Sequence, residues 1–224
     1  MSRTHQEALA VIQRERLVAI LRGISMEHIP GVVQALVDGG VKALEFTYDH
    51  NSPEDIAKNQ EKIRYAVEHF GDRVVVGCGT ALSVAEVEAT YEAGGELVIT
   101  PSTDVDVIKR TRELGMVSMP GALTPTEVVT AWNAGADIVK IFPSSEFGLG
   151  YLKAIRAPLG FIPMSAVGGV KPENVAEYLN AGIAGFGVGS QLVLSDAVKR
   201  GDYDAIRARA LEFTTAIAAW EASK

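Results

Sequence analysis

The feature that most constrains this chain is a glycine that recurs just ahead of an apolar run. Gly39, Gly71, Gly94, Gly115, Gly135, Gly160 and Gly182 are spaced at intervals of 32, 23, 21, 20, 25 and 22 residues. Each interval has room for one short strand and a helix of about three turns. A helix commonly ends on a left-handed residue, which glycine adopts without a Cβ clash, so these glycines are expected to close helices. The runs that follow them read as buried parallel strands: 43–48, 74–80, 97–101, 116–121, 138–143, 161–169 and 185–190. An eighth run, 17–23, opens the series. Helix starts are marked as well. Ser52-Pro53-Glu54-Asp55 and Thr124-Pro125-Thr126-Glu127 place a capping hydroxyl before proline, and Ser83 with Glu86 reads as a capping box.

Eight alternating strands and helices predict an α/β fold, a (β/α)8 TIM barrel with an additional N-terminal helix. A doubly wound open sheet shares the alternation and is the alternative. No long linker or low-complexity segment interrupts the pattern, so residues 1–224 are expected to form a single barrel domain.

Composition narrows the partners. A net charge of −7 argues against nucleic acid and anionic membrane, yet leaves room for a small anion held by local amide donors. No apolar run approaches the ~20 residues of a membrane helix, and the N-terminus lacks a signal-peptide pattern, so a cytoplasmic protein is expected. Cys78 is the only cysteine and the four histidines show no ligand spacing, so no metal site is expected.

In a barrel of this class, chemistry is placed at the C-terminal ends of the strands, so polar residues within apolar runs are the informative ones. Lys140 lies among Ile138, Val139, Ile141 and Phe142. Burial would lower its pKa and leave an amine able to attack a carbonyl. It could also snorkel to the rim or pair with a carboxylate. Glu45, between Leu44 and Phe46, is either such a partner or an acid/base. Thr80 ends Gly77-Cys78-Gly79-Thr80, whose glycines would let backbone approach a ligand while the hydroxyl donates to a carboxylate; a loop that simply needs small residues is the other reading. Cys78 reads as packing. Gly168-Gly169 and Gly187-Val188-Gly189-Ser190 fall after the last two strands, where exposed amides can hold phosphate; ordinary turns are the other reading.

Taken together, VAILRG, LEFT, GCGT, MPGALTPTE, IVKIFP, VGGVKPEN and GVGS resemble the KDPG/KHG aldolase family over nearly the whole chain. The resemblance implies a homotrimeric barrel without metal or other cofactor, acting on a phosphorylated keto acid. It further implies that Lys140 forms the Schiff base, that Glu45 moves protons, and that Gly168, Gly169 and Ser190 hold phosphate, with Gly189 beside them. Thr80 matches the threonine of the third strand. Two departures stand out. Asp49 occupies the place of a family arginine that holds the substrate carboxylate, which makes Arg22 the candidate cation. Val167 stands where a threonine is usual.

The expected activity is therefore class I aldol cleavage. The substrate would be a 2-keto-3-deoxy-6-phospho-sugar acid, giving pyruvate and glyceraldehyde 3-phosphate, or 4-hydroxy-2-oxoglutarate, giving pyruvate and glyoxylate. The competing expectations are the 6-phosphogalactonate analogue, an unphosphorylated keto acid, a non-covalent phosphate-binding barrel enzyme, and a barrel that binds without catalysis.

Overall fold

The computed structural model describes residues 3–52 and 54–224. Among these, nine parallel strands and ten helices alternate into a nearly closed TIM-like barrel. The strands are β1 Leu17–Leu21, β2 Ala43–Thr47, β3 Val75–Gly79, β4 Leu97–Ile99, β5 Val117–Met119, β6 Gly121–Ala122, β7 Val139–Ile141, β8 Met164–Val167 and β9 Gly185–Val188. Their order in the sheet is β5-β4-β3-β2-β1-β9-β8-β7-β6.

The count of nine corrects the expected eight, and Pro120 is the reason. Proline has no N–H to give the ladder, so the run expected at 116–121 is split in two. The segment nonetheless bonds on both sides. Thr100 N–H donates to the carbonyl of Met119 (3.3 Å), while Lys140 N–H donates to that of Pro120 (2.8 Å). These bonds bring the two ends of the sheet together.

The helices are α1 His5–Glu15, α2 Ile29–Asp38, α3 Asp55–Phe70, α4 Val84–Glu92, α5 Val105–Glu113, α6 Pro125–Asn133, α7 Ser144–Leu159 (broken at Gly148), α8 Val175–Asn180, α9 Ser195–Arg200 and α10 Tyr203–Ala222. Thr124 and Glu127 complete a capping box on α6, with Pro125 at its first turn. Ser83 caps α4, but the Glu86 carboxylate turns to the Leu82 N–H and His50, so the reciprocal half of that box is missing. The start expected at Ser52 moves to Asp55, where Glu54 is the cap residue without a side-chain bond; Pro53 lies outside the described residues. Of the seven marker glycines, Gly94, Gly115, Gly135 and Gly182 take the left-handed conformation, whereas Gly39, Gly71 and Gly160 do not. At the first unit Gly40 takes that role, and Gly39 is needed because a Cβ there would strike Ala210 of α10.

Alternation sorts the strand residues into two apolar clusters. The larger lies outside the strands and includes Leu44, Phe46, Val76, Cys78, Val139, Ile141 and Ala166 packed against the helices. The smaller fills the barrel: Val18, Ala43, Val75, Leu97, Ile99, Val117, Met119 and Ile138, with Ala8 and Ile12 of α1. Helix α1 thus plugs one end. Arg3 pins its start to Glu96 (3.1 Å) and to the carbonyl of Val74 (3.0 Å), and His5 contacts Asp137 (3.0 Å). All three partners lie just ahead of strands, so the plugged end is the N-terminal end. Polar residues inside the barrel are left to the opposite end.

Candidate active site

Two residues up from the plug, the interior changes character. Ala43 gives way to Glu45 on β2, and Ile138 to Lys140 on β7, each pair sharing the inward face. Glu45 is 1% exposed and Lys140 5%. Burial lowers the pKa of Lys140, with Glu45 opposing that shift and Arg22 adding to it. Burial raises that of Glu45 against the pull of Lys140 and Arg22. Both shifts run towards the uncharged form, because burial takes water from each charge. Lys140 Nζ also lies 5.1 Å from the centroid of Phe142, whose ring face favours positive charge on that nitrogen.

The glycines of β3 are held small by what lies next to them. A Cβ on Gly77 would run into the backbone of Leu97, and one on Gly79 would strike the Glu45 carboxylate and approach Thr47. They make room for the neighbouring strand and for the acid, which fits the small-residue reading of this segment. Thr80, next in line, has φ of 59°. A β-branched residue in the left-handed region is strained, and such strain concentrates at functional sites.

A cavity of about 610 Å³ opens above Lys140. Its wall includes Arg22, Gly168, Gly169, Gly189 and Ser190, so five expected substrate-binding residues converge there with the lysine. Glu45 and Thr80 are not part of that wall. Gly168 (φ 104°) and Gly169 (φ 71°) both have positive φ, a backbone that residues with side chains rarely adopt. Arg22 lies beyond the end of β1 on the same side as Ile20, which also lines the cavity. Asp49 is occupied elsewhere. Its carboxylate accepts from Asn51 Nδ2 (2.7 Å) and Asn51 N–H (3.2 Å), which hold its pKa below the usual carboxylate value. The Cys78 thiol faces the outer cluster and burial pushes it up to about 12, which suits packing.

Sequence reasoning missed Ser165, Phe142, His28 and Lys199. Of the last three, which all line the cavity, Phe142 shares the alternation of Lys140 two residues before it, while His28 and Lys199 sit where no strand period reaches. Ser165 carried a periodic signal too. It interrupts an apolar run two residues before Val167, on the inward face, and pairs in register with Lys140. Among the described residues no cluster of three metal-ligating side chains occurs, and no helix is long and apolar enough to cross a membrane.

A barrel with a buried lysine and a buried glutamate at one end, and a glycine-lined cavity that the lysine also lines, defines a class: barrel enzymes with a lysine in the wall of the pocket. The family can be given as well. The KDPG and KHG aldolase model matches residues 9–209, and the chain belongs to that family of aldolases. It is 43% identical over 177 residues to the 2-dehydro-3-deoxy-6-phosphogalactonate aldolase of Escherichia coli K12, covering 79% of this chain and 83% of that one. It is 29% identical over 206 residues to the KHG/KDPG aldolase of the same organism, covering 92% and 93%. Among solved structures, a native KDPGal structure superposes with a TM-score of 0.82 at 39% identity, over 92% of this chain and 96% of that one.

Proposed function

We propose that the protein is a class I aldolase that forms a Schiff base through Lys140 and releases pyruvate from a 2-keto-3-deoxy-6-phospho-sugar acid. The observation that carries this reading is the buried lysine, its pKa lowered, in the wall of the cavity that Arg22, Gly168, Gly169 and Gly189 also line. Substrate phosphate is assigned to Gly168, Gly169, Gly189 and Ser190, and the substrate carboxylate to Arg22 and Thr80. Neutral Lys140 adds to the C2 ketone, and loss of water leaves a protonated imine. The C4 hydroxyl then gives up its proton, the C3–C4 bond breaks, its electrons move to the imine nitrogen, and an aldehyde leaves. The resulting enamine takes a proton at C3, and hydrolysis frees pyruvate and Lys140. Glu45 is the group that takes up and returns these protons.

With a gluconate-configured substrate the aldehyde is glyceraldehyde 3-phosphate; 4-hydroxy-2-oxoglutarate would give glyoxylate. The galactonate epimer is a second reading, favoured by the 43% identity to a phosphogalactonate aldolase against 29% to a KHG/KDPG aldolase. A single-domain, homotrimeric, cytoplasmic enzyme is proposed on the family resemblance, and sedimentation equilibrium checks the trimer.

Incubation with pyruvate and borohydride, followed by peptide mapping, tests the chemistry. A reduced pyruvate adduct on Lys140 is expected, and Lys140→Ala should carry none. A folded wild-type protein without the adduct would overturn the covalent reading. Coupled assays with both sugar-acid epimers then decide the substrate.

A further inference from the structure

Among the described residues, two buried side-chain oxygens have no hydrogen-bond partner: Glu45 Oε2 and Ser165 Oγ. Buried polar atoms are normally satisfied, so each exception calls for a reason. Both residues are 1% exposed, both take inward positions of their strands, and each is tied to Lys140, Ser165 as its register partner and Glu45 through its charge. Ser165 of β8 is the Cα partner of Lys140 on β7, so their side chains leave neighbouring strands on the same face. Below them the interior is apolar, with Ile138, Val18 and Val117. Above, the next inward residue of β8 is Val167. The inward polar side chains on β2, β7 and β8 between these apolar positions are thus Glu45, Lys140 and Ser165.

We propose that Ser165 is a positioning residue of the aldol reaction: with Glu45 Oε2 it holds the water that carries protons between Glu45 and C3 of the bound substrate. This deepens the reading of Lys140 and Glu45 given above and rests on it. A buried water needs two to four polar partners, and Ser165 Oγ, Glu45 Oε2 and Lys140 Nζ can supply them. In the enamine step the Glu45 acid passes a proton to the water while the water gives one of its own to C3. The enamine electrons form the new C–H bond, the nitrogen becomes iminium, and Glu45 is left as carboxylate. The reverse step removes a proton from C3 and restores the acid. Ser165 gains and loses no proton; its hydroxyl fixes the direction in which the water points. The requirement is geometric, since proton transfer is efficient only within hydrogen-bond reach.

The experiment follows loss of the pyruvate methyl signal in D2O by proton NMR, with borohydride-trapped adduct and thermal melting measured on the same samples. Ser165→Ala is expected to slow exchange at least tenfold. Its adduct fraction should stay within twofold of wild type, and its melting temperature should fall by no more than a few degrees, because the hydroxyl bonds only that water and its loss removes about one hydrogen bond. Ser165→Thr restores the hydroxyl and is expected to return exchange to within about threefold. Exchange by Ser165→Ala within twofold of wild type would overturn the proposal. So would a parallel fall of exchange, adduct and melting temperature, which would make Ser165 a packing residue. If Ser165→Thr does not fold, Ser165→Ala still decides. Wild-type protein that traps no pyruvate would remove the underlying reading, a result distinct from a trapping enzyme indifferent to Ser165.

Discussion

The two ends of the barrel interior are built from the same strands and obey opposite rules. At the plugged end Ala43, Val75, Leu97, Val117 and Ile138 meet Ala8 and Ile12 of α1 in a continuous apolar cluster. One inward position further along, β2 and β7 carry Glu45 and Lys140, and β8 carries Ser165 with its hydroxyl unpartnered. The lower layer removes apolar surface from water, which stabilises the fold by about 25 cal/mol per Å². The upper layer does the reverse. It buries an amine and a carboxyl group and leaves polar atoms without partners, a cost that the lower layer and the outer helical shell offset. Stability and reactivity are thus separated by a single step of the strand repeat.

The largest effect expected from this contrast is on the rate. Glu45→Gln keeps the shape of the upper layer and removes its proton donor, so kcat should fall by roughly 10² to 10⁴. Turnover close to wild type would return Glu45 to a purely structural place. The complementary change lies two residues below the lysine. Ile138→Ala empties part of the lower layer and should lower stability by about 2–5 kcal/mol. The kcat of the protein that remains folded should change little. Urea unfolding together with active-site-normalised kinetics measures both. A large kcat loss without destabilisation would show that the layers are not separable in this way.

A smaller effect, of opposite sign, is expected at the lysine itself. The unfolded chain carries Lys140 as an ammonium near neutral pH, while burial pushes its pKa in the fold below 10.5. Folding therefore works against that charge. The penalty is complete below the folded pKa and fades as the pH approaches 10.5. Lys140→Met should abolish activity and stabilise the protein by about 1–2 kcal/mol at pH 7. The gain should shrink on the alkaline side. Melting curves from pH 6 to 10 check this; a destabilised variant would mean that Lys140 holds the upper layer together.

The lower layer and the outer shell were the legible part. Spacing between glycines, runs of apolar residues and capping residues all follow from local backbone preferences, and they placed the strands to within a few residues. The split at Pro120 was not read because a bond-deficient residue still fits an apolar run, and the two strands it separates bond to opposite neighbours. The site was half legible. Lys140 and Glu45 betray themselves as charges in apolar strands. Ser165 is subject to the same alternation argument, but serine is small and uncharged, so it blends into MSAV. Phe142 follows the alternation of Lys140, whereas His28 and Lys199 reach the cavity from short helices after β1 and β9, whose approach no local pattern encodes. That Gly79 leaves space for Glu45 in particular could not be read, because its neighbour is a side chain on another strand.

Thr80 is the place where the contrast can be sharpened at the smallest cost. It follows a β3 residue that makes room for Glu45, and its φ of 59° is one that β-branched residues avoid. Strain of this kind costs about 1–3 kcal/mol and persists only where the surroundings impose it. Glycine would relieve it, but would lose about 0.5–1 kcal/mol through the greater freedom of the unfolded chain. Thr80→Gly should therefore stabilise the protein by no more than about 1–2 kcal/mol. With the hydroxyl assigned to the substrate carboxylate, KM should rise by roughly tenfold, the equivalent of one charge-assisted hydrogen bond. Thr80→Ser keeps the hydroxyl and should leave KM nearly unchanged. If Thr80→Gly gains stability and keeps its KM, the strained backbone serves only to turn the chain over Glu45, and the carboxylate rests on Arg22 alone.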